Sequence, residues 1–231
     1  MDSQEIDEVL RACEGLIAGD RALDLRETGF WRAVASVKRK PELVTKYADR
    51  IGAIDRAAFL QRVRLRFPAG LGIVLLLLGA LFGLALLWLA ATFTHPTREI
   101  LVLVGFGAVL LTTHNLAHFA YGSLVGIRFT DWFVDLPKRP QPGLKIDYAT
   151  YLRTPARARA WMHAAGAIVT KLVPFAVALY GLSIATDAWA VALLAVVGLL
   201  QIASDALYSV KASDWKKFNR EMKLAKGRSA G

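Results

Sequence analysis

The chain has 231 residues, 55% of them hydrophobic, with a formal net charge of +10 and a single cysteine, Cys13. So large an apolar fraction is unusual for a soluble domain of this length, and one cysteine excludes an intrachain disulfide. The basic residues flank apolar runs and form no nucleic-acid-binding motif, so no nucleic-acid partner is expected.

Residues 1–66 read as a small helical cytosolic segment. Ile6, Val9, Leu10, Cys13, Leu16 and Ile17 form one helical stripe, and Phe30, Trp31, Val34 and Val37 a second. Pro41 suits the first turn of a third helix carrying Leu43, Val44, Tyr47, Ile51 and Ile54. Cys13 lies on the apolar stripe, where inert burial is expected. The start of the chain bears Asp2, Glu5 and Asp7 instead of a basic stretch before an apolar one, so no cleavable signal is expected and the first span directs insertion. The segment is too small for a large core of its own. It is expected as a cap on the membrane domain or at the interface, with a substrate-recruiting module as the alternative.

Four apolar runs follow, over 69–93, 100–127, 160–186 and 188–210. Each exceeds the roughly 20 residues a helix needs to cross a hydrocarbon core of about 30 Å. The fold class is therefore an all-α polytopic membrane protein, with residues 67–210 as a four-span domain in a lipid bilayer. Arg62, Arg64 and Arg66, the 128–159 loop and the 211–231 tail hold most of the basic charge, whereas His95 to Glu99 and Asp187 are nearly neutral. The positive-inside rule then places both termini and the 128–159 loop in the cytoplasm, with a prokaryotic cell membrane as the expected location.

The 128–159 loop carries Trp132, Phe133, Pro137, Pro140, Pro142, Tyr148 and Tyr151. Its prolines forbid a regular helix there, and the aromatic residues suit the headgroup zone; a short β-hairpin is the alternative. In the tail, Trp215, Phe218 and Met222 recur at helical spacing among lysines and arginines, the pattern of an amphipathic helix on the cytoplasmic leaflet or packed on residues 1–66.

The polar residues inside the spans carry the chemistry. His114 and His118, with Asn115 between them, share one helix face about 6 Å apart. Asp205 lies in the fourth run, His163 near the start of the third and Lys171 near its middle. The assumed topology brings His114, His118, His163 and Asp205 toward one leaflet. Two imidazoles and a carboxylate suit tetrahedral zinc with one position left to water, and Gln201, one turn from Asp205, could orient it. Two plainer readings stay open: histidines hydrogen-bonded across a helix interface, and Asp205 paired with Lys171 or a loop arginine. His95 reads as a solvated loop residue.

These motifs resemble the site-2 protease group of intramembrane zinc metalloproteases, whose core carries an H-E-x-x-H helix, a following helix and a third helix with an aspartate ligand. His114-Asn115-Leu116-Ala117-His118 takes the first place, followed by Tyr121-Gly122 and Gly126-Ile127-Arg128-Phe129. Tyr151 to Pro155 through Arg159, then Ala164-Ala165-Gly166, is similar to the lead into the second helix, and Ser204-Asp205 falls where the aspartate would be. The resemblance covers about residues 100–220 and implies His114, His118 and Asp205 as metal ligands, with His163, Gln201, Thr170 and Lys171 around them. The chain departs from the pattern at Asn115, in the place of the general-base glutamate; at Ala167, in place of proline; at Thr170, in place of asparagine; and after Asp205, where Ala206 and Leu207 follow. An amide cannot accept a proton near pH 7.

The resemblance therefore implies a catalytically degenerate pseudoenzyme, acting as a scaffold or partner-binding subunit for other membrane proteins or a transmembrane peptide, with a zinc site retained. Two alternatives are an active metalloprotease using Asp131, Asp135 or a metal hydroxide as its base, and a haem-binding subunit with His118 and His163 as axial ligands.

Overall fold

The computed structural model describes residues 1–19, 24–135, 139–207 and 213–229. They divide into two compact units. The first comprises residues 1–69, 122–159 and 222–231, and the second residues 70–121 and 160–221. The first unit thus draws on the N-terminal segment and on most of the segment between the second and third apolar runs.

In the first unit, α1 (Ser3–Ala18), α2 (Phe30–Val37) and α3 (Pro41–Arg62) surround one core. The expected stripes supply it: Ile6, Leu10, Cys13, Phe30, Val34, Val37, Tyr47 and Ile51 are buried, with Leu152 packed among them. Asp2 and Glu5 close a reciprocal capping box at the start of α1, and Pro41 occupies the first turn of α3. Asp7 joins α1 to α3, accepting from the Tyr47 hydroxyl at 2.7 Å and from Arg50 at 2.6 Å.

The segment between the second and third apolar runs forms the alternative hairpin. β1 (Leu65–Pro68), β2 (Phe129–Asp135) and β3 (Arg139–Ile146) make an antiparallel sheet in the order β1-β2-β3, with Phe67 opposite Trp132 and Trp132 opposite Leu144. Pro140 and Pro142 are compatible with β3 because it is an edge strand. Pro137 lies outside the described residues. The short α6 (Tyr148–Arg153) follows, capped by Asp147.

The second unit holds four helices long and apolar enough to cross a membrane: α4 (Ala69–Ala90), α5 (Thr97–Leu124), α7 (Ala156–Ser183) and α8 (Ala188–Leu207). The protein is thus an all-α polytopic membrane protein with a small sheet in its first unit. Leu78, Leu81, Phe82, Leu111, Leu179 and Leu200 are exposed on these helices, as lipid-facing side chains should be. α4 and α5 approach closely at Gly83 and Gly105: a Cβ added at either would lie 2.9 Å from the carbonyl oxygen of the other. Small residues permit such contact where no hydrophobic effect drives helices together. The end of the fourth apolar run, Val210, and the start of the tail, Lys211, lie outside the described residues. The tail's helix is α9 (Asp214–Ser229).

Candidate metal centre

Three elements of the second unit supply the polar group. α5 presents His114 and His118 one turn apart, α7 passes with Met162, His163, Gly166 and Thr170, and α9 begins with Asp214. The Ser213 hydroxyl accepts from the Lys216 amide and caps α9. A carboxylate in the first turn suits the positive end of a helix. Trp161 of α7 meets Phe218 edge-on at 5.6 Å, and Phe218 stacks on Trp215 at 5.2 Å, which anchors the start of α9 on α7.

Hydrogen-bond partners assign the imidazole protons. With the Thr170 hydroxyl donating to the Gly166 carbonyl at 2.9 Å, its oxygen accepts from His114 Nδ1, 2.7 Å away. The Met162 carbonyl can only accept, so His118 Nδ1, at 2.7 Å, donates to it. Both Nδ1 atoms are therefore protonated, and in the neutral rings both Nε2 atoms keep their lone pairs. Those nitrogens lie 3.2 Å apart, and Asp214 Oδ2 is 3.1 Å from His118 Nε2 and 3.4 Å from His114 Nε2. In this tautomer three electron-pair donors face one another, and a second proton on one imidazole or a cation among them compensates them.

The spacing fits the cation. Tetrahedral ligands with bonds of about 2.0–2.1 Å are separated by roughly 3.3 Å, close to all three observed distances. Metal-bound histidines also generally donate their other N–H to an oxygen, as both do here. Burial acts to raise the Asp214 carboxyl; with a second proton on His118, that ring's hydrogen bond and charge, together with Lys217, override it and hold the group well below the usual carboxylate range. Lys217 binds Oδ1 at 2.9 Å and leaves Oδ2 to the imidazoles.

The other expected residues are distributed differently. Asp205 does not join the histidines: its carboxylate is bound by Lys171, the plainer pairing left open above. A half-buried cation on α7 satisfies that carboxylate directly. The Lys171 ammonium also lies 5.9 Å from the Trp215 ring. Gln201 does not orient Asp205 through its side-chain oxygen, which is buried without a hydrogen-bond partner among the described residues. Thr170 is the supporting partner of His114. Asn115 is buried beside the two histidines in sequence. His163 lies at the margin, its Nδ1 3.9 Å from Asp214 Oδ1. Asp131 and Asp135 belong to the first unit, where Arg56 binds Asp131 and Arg62 lies 3.4 Å from Asp135. His95 is exposed, yet it faces both Glu99 and Asp187.

Two features escaped the sequence reading. Asp214 lies in the tail, where Ser213-Asp214 before a helical pattern is a start signal that places the carboxylate at a defined helix end. Gly166 allows α7 to approach His118, because a Cβ at that position would collide with the imidazole.

Fold and site define a polytopic membrane protein with a His-His-Asp group capable of holding a metal ion. Comparison with protein-family models, curated proteins and solved structures gives no significant match.

Proposed function

We propose that this is a site-2 protease-like integral membrane protein that retains a zinc centre without peptidase chemistry and serves as a scaffold or partner-binding subunit. His114, His118 and Asp214 hold the zinc. The observation that carries the reading is the convergence of two imidazole lone pairs and a carboxylate oxygen within 3.1–3.4 Å of one another. The likeness rests on the H-x-x-x-H helix and on α7. The aspartate ligand comes from α9, not from Asp205 on α8.

A zinc ion here would polarise a carbonyl and acidify bound water. Asn115 stands where the related group has its base, and an amide does not take a proton near pH 7. The acids considered as substitutes, Asp131 and Asp135, are engaged by arginines. The haem alternative draws no support from the rings, because His118 turns Nε2 toward Asp214 and His114 while its Nδ1 is held by Met162. The uneven distribution of arginine and lysine supports cytoplasmic termini, and a prokaryotic cell membrane is the proposed location. The partners are other membrane proteins or a transmembrane peptide bound without cleavage.

Purified protein in detergent should contain zinc that His118→Ala removes, show no haem absorption and leave a transmembrane peptide intact. Zinc-dependent cleavage at a rate that Asn115→Glu does not improve would overturn the non-catalytic reading. Zinc content unchanged in His118→Ala would overturn the metal assignment.

A further inference from the structure

A second group of ligand atoms lies near the other end of α5, in turns to which neither the resemblance nor the proposed function assigns a role. His95 stands in the connection between α4 and α5, Glu99 in the first turn of α5, and Asp187 between α7 and α8. His95 Nδ1 lies 3.3 Å from Glu99 Oε2 and 3.0 Å from Asp187 Oδ2, and one ligand atom from each residue falls within 4.8 Å of the others. The two distances from His95 again approach the roughly 3.3 Å edge of a tetrahedral zinc site.

Glu99 makes this more than a surface cluster of acids. It is 1% exposed, and its two oxygens have different surroundings. Oε1 accepts from the Asp187 amide at 3.2 Å, whereas Oε2 is buried with no hydrogen-bond partner among the described residues. An ionised carboxylate oxygen buried in this way is costly unless a cation compensates it. A neutral imidazole offers Nδ1 a single proton, and here two carboxylates converge on that nitrogen. The surrounding turns are braced independently of the group. Arg98 donates to the Phe93 carbonyl at 2.9 Å and to the Ala185 carbonyl at 2.6 Å, joining the two helix connections. His95 and Asp187 are 61% and 45% exposed at the side chain, which leaves the site an entry path and open positions for water.

We propose that His95, Glu99 and Asp187 form a second divalent-metal site, of the zinc class, that clips the α4–α5 and α7–α8 connections together. One imidazole with two carboxylates favours a first-row ion such as zinc over calcium or magnesium, which prefer all-oxygen ligands.

The full chain carrying His114→Ala and His118→Ala removes the first centre and isolates the second. Equilibrium titration of this protein with zinc should give one bound ion per chain, with at least tenfold weaker binding when His95→Ala or Asp187→Asn is added. Calcium and magnesium should not compete. Both added changes replace exposed or half-exposed side chains, so each protein can be compared at equal helical content. Failure of the two-alanine protein to bind zinc, or binding that neither added substitution weakens, would overturn the second site. Metal retained by the two-alanine protein says nothing for the first centre, which is read from the difference between it and wild type. The two proposals can therefore fail separately.

Discussion

Lys171 on α7 and Asp205 on α8 bind each other within the membrane-spanning helices. The ammonium is held further by the Ala167 carbonyl at 3.2 Å. A charge in a span requires a partner, and here the two charges meet that requirement mutually. The pair accordingly acts in helix packing, outside the metal centre. Lys171→Met should lower stability by about 3 kcal/mol by leaving Asp205 uncompensated. Lys171→Met combined with Asp205→Leu should regain most of the loss. Thermal unfolding in detergent measures both, and a double variant no more stable than the single one would contradict the pairing.

Gly166 sets the position of His118. With alanine there, the imidazole or α7 must move, since the new methyl group meets the ring itself. Gly166→Ala should weaken zinc binding by roughly 10–100-fold, the scale seen when ligand support is disturbed, with helical content unchanged by circular dichroism. Zinc affinity equal to that of wild type would mean that His118 is not a ligand.

Asp7 makes the first unit sensitive to acid. The Tyr47 hydroxyl, opposed by desolvation and assisted by Arg50 and Lys46, lowers its carboxyl from 3.8 to about 2. A carboxyl lowered in the folded state stabilises above its unfolded value, and that contribution fades as pH falls from 3.8 toward 2. Asp7→Asn should therefore lower the melting temperature at pH 7, and its difference from wild type should shrink between about pH 4 and pH 2. A difference independent of pH would assign the effect to packing.

Much of this molecule was legible in its sequence because periodicity and length carry the relevant physics. The apolar runs became α4, α5, α7 and α8, and Ile6, Leu10, Phe30, Val34, Tyr47 and Ile51 became a core. The sheet was harder to read. Leu65–Pro68 is too short to show alternation beside the first span, and the prolines of β3 are tolerated only through its edge position. The histidine pair was visible from local spacing alone. Its carboxylate was not, because Asp205 and Asp214 are both acids near the end of the fourth helix, and the choice between them rests on three-dimensional pairing. Lys171 claims the first, and the capped start of α9 brings the second to the imidazoles.

The most direct measurement is therefore a zinc titration of His95→Ala, in which the other proposed site is weakened, alone as the parent and combined with Asp205→Asn or Asp214→Asn. The arrangement of Asp214 Oδ2 against His114 and His118 predicts that Asp205→Asn binds zinc within about threefold of the parent, while Asp214→Asn binds at least about tenfold more weakly. Loss of zinc in Asp205→Asn with full affinity in Asp214→Asn would contradict the account.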